Sequence, residues 1–244
     1  TALHTGLTDT YTVSSIPYEP PYPYNAGNPI FVAQDDIWSD IINLPFKFCY
    51  YGNSYDKIVV GANGIVSFHI EYANQTCPYI IPSNNPSNSL PLNSIFGVFH
   101  DIAPQQGGAI FQAVLGSYPC RTFVVNYNQV PLFNCYTLLT THQVVLYENT
   151  NVIEVYIQNK PICNNWNSGK AIVGIQNKDG TAGITAPNRN ALPTWVASNE
   201  AWRFTPSGTP NYTIEWFNGS NSLGNDNTIN ICTPSTYTAI ATYN

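Results

Sequence analysis

Short runs of β-branched and aromatic residues, separated by turns of Asn, Gly and Pro, extend along the chain and restrict it to an all-β fold. Apolar residues alternate with other residues over positions 42–48, which is the period of a half-buried strand. Asn63-Gly64 is a strong hairpin signal, because this dipeptide readily adopts the positive φ of a tight primed turn. No segment of useful length has the period of a helix. The pattern predicts an antiparallel β-sandwich.

The same periodicity places the remaining strands and the long loops. Strands are predicted at residues 57–61, 65–70, 95–101, 122–129, 138–147, 152–159, 171–176 and 200–205. The polar segments 71–94 and 181–199 are predicted to be loops. Loops of this length are often functional, so the first of them is one candidate binding edge. Residues 1–27 are rich in Pro and Tyr and are predicted to form an extended arm that packs on the domain.

The composition excludes several classes of partner. Charged residues make up 9% of the chain and aromatic residues 14%, a balance that argues against disorder. The 8 Lys and Arg residues are scattered singly, and the formal net charge is −6. Binding to nucleic acid or to an anionic membrane surface is therefore not expected. No apolar run approaches the length of about 18 residues that a membrane span requires, so no direct span is predicted.

The 6 cysteines point to disulfides rather than to zinc, because none belongs to a CxxC pair and no His follows at finger spacing. In the predicted meander, Cys135 precedes the second strand and Cys163 follows the third, at the same end of the sheet. Cys135–Cys163 is therefore the first choice for a disulfide, and Cys49–Cys77 is the second. Buried free thiols are the alternative. Cys120 lies at the opposite end from Cys135, and Cys232 is expected to pair with a cysteine beyond residue 244.

The segment 211–244 has the pattern of the opening strands of an immunoglobulin-like module, with Trp216 on the first strand and Cys232 on a later one. It is far shorter than the roughly 100 residues of a complete Ig domain. The expected organisation is an arm (1–27), a sandwich (28–206), a linker (207–210) and a partial Ig-like module (211–244). The lack of Met fits an amino terminus processed by removal of a secretion signal. We therefore expect the front end of a longer, multidomain surface protein.

An ordered set of phrases resembles nidogen-like (NIDO-type) extracellular domains: LPFKFCYYGNSYDKIVVGANGIVSF, IFGVFHDIAP, RTFVVNYNQVP, HQVVLYENTNVIEVYI and AIVGIQNKDGT. The resemblance covers roughly residues 43–181. The phrases SSIPYEPPYPYNAGNPIFVAQDDIWSDIINLPFKFCYYG and NEAWRFTPSGTPNYTIEWF are similar to the amino-terminal region of large secreted proteins of gliding Bacteroidetes. This resemblance implies a nidogen-like or jelly-roll-like sandwich followed by Ig-like repeats, in an adhesin-like protein exported by the type IX secretion system. It implies no catalytic residues.

Three tryptophans and two amides are the candidate ligand-binding residues. Trp38, Trp166 and Trp195 lie in predicted loops rich in Asn and Ser, and Asn84 and Asn85 lie in the long polar loop. Aromatic faces flanked by amides bind sugars, because the ring stacks on the pyranose while the amides meet its hydroxyl groups. Loop tryptophans that plug the end of a sandwich are the alternative. Trp202 and Trp216 are predicted to be core residues.

Carboxylates and histidines are the candidate residues for metal binding and catalysis. Asp35, Asp36 and Asp40 could contribute oxygen ligands to Ca²⁺, although the spacing of an EF-hand loop is missing; a solvated or capping turn is the alternative. His100 and Asp101 end a predicted strand and are expected to hydrogen-bond to loop backbone. No GxSxG nucleophile elbow occurs, so no enzyme activity and no cofactor other than Ca²⁺ are expected.

These features together predict a non-enzymatic adhesin module, used in surface attachment or gliding and located outside the cell or on its surface. Its partners would be a polysaccharide or a surface protein, with the secretion and sorting machinery acting during export. Two alternatives stay open. One is a carbohydrate-binding module of a secreted protein. The other is a structural subunit that self-associates into extracellular filaments by adding strands to a sheet edge.

Overall fold

Antiparallel strands dominate the computed structural model, which describes residues 9–30, 32, 34–208, 212–226 and 228–243. Residues 1–8 of the predicted arm, residues 209–210 of the predicted linker and the end residues 211 and 244 of the predicted Ig-like module lie outside these ranges. The strands are β1 (Thr10–Ser15), β2 (Asn28–Pro29), β3 (Ile42–Tyr50), β4 (Asn53–Gly61), β5 (Ile65–Ser67), β6 (Ser94–Phe99), β7 (Ala109–Leu115), β8 (Thr122–Leu132), β9 (Cys135–Tyr147), β10 (Ile153–Lys160), β11 (Ile172–Gln176), β12 (Gly183–Asn190), β13 (Ala197–Ser207), β14 (Tyr212–Asn218), β15 (Asn221–Gly224) and β16 (Tyr237–Tyr243). Short 3-10 helices lie at Ile70–Tyr72, Pro104–Gln106 and Asn167–Gly169. In these described ranges, no helix has the length and apolar character needed to cross a membrane.

Two sheets form the sandwich that the sequence predicts. The first has seven strands in the order β1-β13-β10-β9-β8-β7-β2, and the second has six in the order β12-β11-β6-β5-β4-β3. Their facing side chains build the main core, with Phe48, Val60 and Ile95 from the second sheet meeting Val125 and Leu146 from the first. Apolar residues alternate along the strand around Phe48 because one face of this strand is buried against the other sheet.

The outer face of the first sheet is covered by the chain's own amino-terminal segment. Ile16, Tyr18 and Tyr22 pack on a cluster that includes Val145 and Tyr156. Backbone carbonyls of this arm are tied down by buried side chains of the sheet: the amide nitrogens of Gln143 and Asn126 donate to the carbonyl oxygens at positions 22 and 23, over 2.9 and 3.1 Å. Burial on both faces explains why successive residues of β8 to β10, polar ones included, are buried over much of each strand.

The outer face of the second sheet is covered by the long polar loop, which was predicted as a binding edge. Cys77, Ile81 and Leu90 of this loop join Trp38 in a second cluster over the sheet. The amide of Gln176 on β11 donates to the carbonyl oxygen of residue 91 over 2.7 Å. The loop is thus largely a structural cover, because its apolar residues supply the surface that the sheet needs to bury.

The hairpin predicted at Asn63-Gly64 is present, but the turn differs from the expected type. β4 pairs with β5 through Gly61 and Ile65, so three residues form the loop. Gly64 has a φ of +78°, whereas Asn63 is not among the positive-φ residues. A Cβ on Gly64 would run into the carbonyl oxygen of Val98. The turn is therefore a three-residue loop closed by a glycine rather than a two-residue primed turn.

Strands β8, β9 and β10 form the predicted up-down-up meander, and the Cys135–Cys163 disulfide is confirmed. The second choice, Cys49–Cys77, is wrong, since both residues carry free thiols. Cys49 pairs with Ser54 at the start of β4, while the sulfur of Cys77 lies beside Gly61 at its end. At about 3.3 Å per residue these points are about 23 Å apart along the strand.

Four strands of the sandwich are absent from the prediction. β12 lies inside the segment 181–199 that was predicted as a loop, β7 lies between two predicted strands, β1 lies within the predicted arm, and β2 directly follows that arm. β1 and β12 are edge strands, where one neighbour is enough and polar residues or proline are tolerated. The predicted strand 65–70 ends early, at Ser67, where a 3-10 turn follows. Edge position removes the apolar alternation on which sequence prediction depends.

A separate three-stranded sheet of order β15-β14-β16 follows the sandwich. Trp216 lies on β14 and is buried, as predicted, and its indole N–H donates to the carbonyl oxygen of Asp226 over 2.9 Å. The expectation that Cys232 lies on a strand is wrong. It is exposed in the segment between β15 and β16, where the following Pro234 disfavours a central strand.

The buried amide of Asn63 provides a test of the fold. Asn63→Ala removes two donated hydrogen bonds and one accepted bond at a fully buried position. We expect the free energy of unfolding to fall by about 2–4 kcal/mol, because buried partners are left unsatisfied. Denaturant unfolding measures the change.

The matched control is Gln75→Ala, which removes an exposed hydrogen bond from the side-chain amide to the carbonyl oxygen of Glu71. This variant should lose at most about 0.5 kcal/mol. Equal losses in the two variants would contradict the role given to Asn63.

Candidate binding surface at the disulfide end

Several loops converge at one end of the sandwich, which we call the disulfide end. It is defined by the strand ends at Phe99, Leu132, Lys160 and Ile172 and by the Cys135–Cys163 bond. The segments that meet there are 34–40, 62–64, 100–108, 132–136, 161–171 and 191–196. These segments carry all three predicted loop tryptophans.

Lys160 ties two of these segments together, 161–171 and 191–196. Its buried ammonium group donates to the carbonyl oxygens of Pro161, Gly169 and Trp195 over 3.1, 3.4 and 2.9 Å and lies 4.5 Å from the centre of the Trp195 ring. Burial, and secondarily the charge of Arg189, lowers the pKa of Lys160 to about 8. Sequence reasoning missed this residue. The only signal was a lysine that directly follows a strand-like run.

Asp101 anchors Trp166. The indole N–H of Trp166 donates to Asp101 Oδ2 over 2.6 Å. The expected hydrogen bonds to loop backbone are made by backbone groups: the N–H of His100 donates to the carbonyl oxygen of Asn63 over 3.3 Å, and the N–H of Phe133 donates to that of Asp101 over 3.2 Å.

Asp101 Oδ1 is buried without a partner among the described residues. Burial raises the pKa of Asp101 to about 7, opposed by the indole bond and reinforced by the charges of Asp36 and Asp35.

A small cavity lies beneath this bond, between Asp101 and His100. Its volume of about 20 Å³ is enough for one water molecule. His100 Nε2 is buried and has no partner among the described residues, so it and Asp101 Oδ1 are the polar groups that such a water would serve. Burial lowers the pKa of His100 well below its ordinary value, so its imidazole is neutral.

Three rings form a partly exposed row above the cavity, which we call the aromatic row: Trp166, Phe133 and Tyr136. The ring centres of Trp166 and Phe133 are 4.9 Å apart, and those of Phe133 and Tyr136 are 6.2 Å apart. Tyr136 is 46% exposed, while the other two rings are half-buried. The disulfide begins next to Tyr136 and ends close to Trp166 in sequence, so it holds the two ends of the row on one frame.

Asparagines rim the aromatic row. Asn134, Asn164 and Asn165 are exposed, and none of their side chains makes a hydrogen bond to another described residue. Asn167 is tied instead to the carbonyl oxygen of Tyr79 over 3.0 Å. The rim therefore offers free amide donors and acceptors beside the rings.

Two of the predicted ligand-binding tryptophans are core residues. Trp38 is 1% exposed and stacks on Tyr72, with ring centres 5.2 Å apart. Trp195 is buried under Lys160 and Arg189. Neither ring presents a face to a ligand, so their assignment as binding residues is wrong. Trp166 is the one of the three at the surface.

Of the two asparagines predicted to bind a ligand, one is buried and the other is exposed. Asn85 is buried, and its side-chain amide donates to the carbonyl oxygen of Ile175 over 3.1 Å while its backbone N–H donates to Asn190 Oδ1 over 2.7 Å. It is a structural residue of the covering loop, so its assignment as a binding residue is wrong. Asn84 is exposed beside it, and its role in binding stays a prediction.

The predicted calcium ligands brace loops instead. Asp36 Oδ1 accepts a hydrogen bond from the amide of Asn63, and Asp40 Oδ1 accepts one from the amide of Asn74, each over 2.8 Å. Asp35 Oδ1 is buried without a described partner. Nowhere in the described part of the chain do three His, Cys, Asp or Glu side chains come together as a metal site. These three acids therefore do not form one ligand set by themselves, and binding of Ca²⁺, which takes six to eight oxygens including backbone carbonyls, stays a prediction.

The fold defines the class of module: an antiparallel sandwich with a disulfide at one end. Residues 10–216 match the family model described as NIDO related, so the chain belongs to the NIDO-related family. Such domains are typical of extracellular proteins. Comparison with curated proteins gave no match, and comparison with solved structures gave none. The nidogen-like resemblance is thereby confirmed, and the resemblance to gliding proteins stays a prediction.

The buried carboxyl group of Asp101 makes stability depend on pH. Because its pKa is raised in the folded state, its contribution to the free energy of unfolding is full below the ordinary value of 3.8 and is lost as the pH rises to about 7. Asp101→Asn keeps an acceptor for Trp166 without the charge. We expect the variant to be about 1–3 kcal/mol more stable than the parent at pH 8 and nearly equal to it at pH 3, below the ordinary pKa of 3.8.

Urea unfolding at the two pH values measures this difference, with the exposed Asp56→Asn on β4 as control. An Asp101→Asn variant that is equally displaced from the parent at both pH values would refute the assignment.

The disulfide gives a second test of the same end. Replacing Cys135 and Cys163 together by Ser opens a loop of sequence separation 28 and should lower the free energy of unfolding by about 2–4 kcal/mol. Cys120→Ser, which changes an exposed free thiol at the opposite end, should leave stability unchanged. Thermal or denaturant unfolding under non-reducing conditions measures the stability of both variants. Equal stability of the two would argue against a structural role for the disulfide.

Proposed function

We propose that this chain is a non-enzymatic adhesion module of a secreted or cell-surface protein and that it makes contact through the aromatic row at the disulfide end. The observation that carries the proposal is a partly exposed run of three rings with free asparagine amides on loops fixed by a disulfide. Rigid aromatic side chains lose little conformational entropy on binding, and such residues are frequent anchors of binding surfaces.

The arrangement of the layers supports this choice of surface. The outer face of the first sheet is covered by the amino-terminal segment, and that of the second sheet by the long polar loop. Contact with a partner is therefore left to the ends and edges of the sandwich. Of these, the disulfide end carries the row of rings with an uncharged rim.

The placement of the buried ionisable groups supports a non-enzymatic role. Glu154, the most buried carboxylate, accepts hydrogen bonds from the hydroxyl groups of Tyr147 and Tyr156 and pairs with Arg203. His142 is fully buried, and burial lowers its pKa to about 3. These groups are enclosed by the fold or occupied by partners, so none is presented to a substrate.

A filament subunit is the second candidate, and β16 favours it. This edge strand pairs with β14 on one side, contains no charged residue and leaves Ile240 50% exposed. Uncharged edge strands are templates for pairing with another chain. Ala239→Pro on β16 would abolish assembly by this route, and a monomer at all concentrations in light scattering would exclude it.

The proposed use in gliding and export by the type IX route depend on the sequence resemblance alone. In that setting, the module would contact the substratum while the remainder of the protein connects it to the cell. The low net charge suits such a role, since neither acidic nor basic surfaces would repel it strongly.

Attachment of beads that carry the full chain tests the proposal. Under flow, parent beads should attach to glass coated with polysaccharide or with protein. Beads carrying Tyr136→Ala should attach at least about fivefold less, because an exposed aromatic anchor of the row is removed.

The control is Tyr118→Ala, which removes a tyrosine that is 78% exposed at the opposite end of the sandwich. Attachment of this variant should equal that of the parent. No attachment of the parent to any of these surfaces, or equal loss in both variants, would contradict the proposal.

A further inference from the structure

We propose that the aromatic row and its asparagine rim bind a neutral glycan chain, with the exposed ring of Tyr136 stacking on one sugar, the edges of the half-buried rings contacting its neighbours, and the amides meeting their hydroxyl groups. This inference rests on the proposed function, because it names the chemical class that the adhesion surface recognises.

The continuity of the row favours a chain over a single small molecule. With centre-to-centre distances of 4.9 and 6.2 Å and interplanar angles of 50° and 80°, the three rings form a connected, stepped apolar surface rather than one flat platform. Ring faces bind the apolar C–H faces of sugars, and a connected run accommodates several sugar units. The cavity below holds only about one water, so a ligand must lie on the surface and not in a pocket.

The polar edge of Trp166 is directed away from the ligand side. Its indole N–H is committed to the buried oxygen of Asp101 over 2.6 Å. The exposed part of this ring is therefore apolar and suited to stacking. Directional hydrogen bonds to a ligand must come from other side chains, and the free amides of Asn134, Asn164 and Asn165 are placed to provide them. An amide both donates and accepts, which matches the dual character of a sugar hydroxyl group.

The charges around the row favour a neutral glycan. Asp101 is 7% exposed and Lys160 is 1% exposed, and both are engaged inward. Lys170, half-buried at the cavity, is the remaining charged residue of its lining. Recognition of sulfate or uronate groups uses clusters of Arg and Lys, and the described residues of the row and its rim contain none.

The row is preorganised by its own supports. The disulfide fixes the two chain segments, Asp101 fixes Trp166, and Asn167 is bonded to the carbonyl oxygen of Tyr79. Since these contacts exist without a ligand, little ordering remains to be paid on binding.

The experiment measures binding of the full chain to immobilised carbohydrates by biolayer interferometry. The neutral probes are cellohexaose, laminarihexaose, mannohexaose and N-acetylchitohexaose, and the anionic probes are polygalacturonate and heparin. We expect binding to at least one neutral probe and none to the anionic ones. Tyr136→Ala should weaken that binding about tenfold and Asn164→Ala with Asn165→Ala about fivefold.

Two further variants keep the result interpretable. Tyr136→Phe retains the ring and should bind as the parent does, and Tyr118→Ala at the opposite end should also be unchanged. Because Tyr136 and both asparagines are exposed, these variants are expected to fold, and circular dichroism with thermal unfolding checks this.

The outcomes separate the two proposals. If no neutral hexasaccharide binds while beads still attach through Tyr136, the glycan inference is overturned and the adhesion function stands. If a neutral probe binds but Tyr136→Ala binds equally well, the assigned site is wrong. If only the anionic probes bind, the ligand class is wrong. If a neutral probe binds through Tyr136 and the beads do not attach, the glycan site stands and the adhesion function fails.

Discussion

The disulfide end depends on the hydrogen bonds made by the side-chain amide of Asn63. From the turn between β4 and β5 it donates to Asp36 and to the carbonyl oxygen of Pro78, and it accepts the backbone N–H of Ile102. One buried side chain thus joins the hairpin to three segments distant in sequence. Because the fully buried Asn63 side chain and the buried N–H of Ile102 would otherwise lack hydrogen bonds, the four segments stabilise one another.

The covers on the outer faces of the two sheets explain where a chain with so few charged residues buries its many apolar side chains. Both sheets are buried on two sides, one by the arm around Tyr18 and the other by the loop around Cys77 and Leu90. This arrangement gives three apolar layers, so that the tyrosines and aliphatic residues outside the main core are also buried. It also restricts recognition to the ends and edges, where loops are free to vary.

Buried charge is concentrated where the loops need to be held. Lys160 and Asp101 have opposite pKa shifts for the same reason, removal from water, and each is retained by hydrogen bonds that fix a loop. Burying such groups lowers the stability of the fold. In exchange, their hydrogen bonds fix the positions of Trp166 and its neighbours at the end surface. This concentration of polar anchors at one end is consistent with the place of the candidate site.

The sequence by itself determined the all-β class, strand β3, the meander of β8 to β10 and the Cys135–Cys163 bond, because alternation and hairpin order are local properties. It also predicted that Trp166 lies in a loop, where the structure finds it partly exposed; its role in binding stays a prediction. Only the tertiary structure decided that Trp38 and Trp195 are buried and that Phe133 and Tyr136 complete the row. Exposure of an aromatic ring depends on which distant segment packs over it, and the segments that bury Trp38 and brace Trp166 are brought there by contacts far apart in the chain.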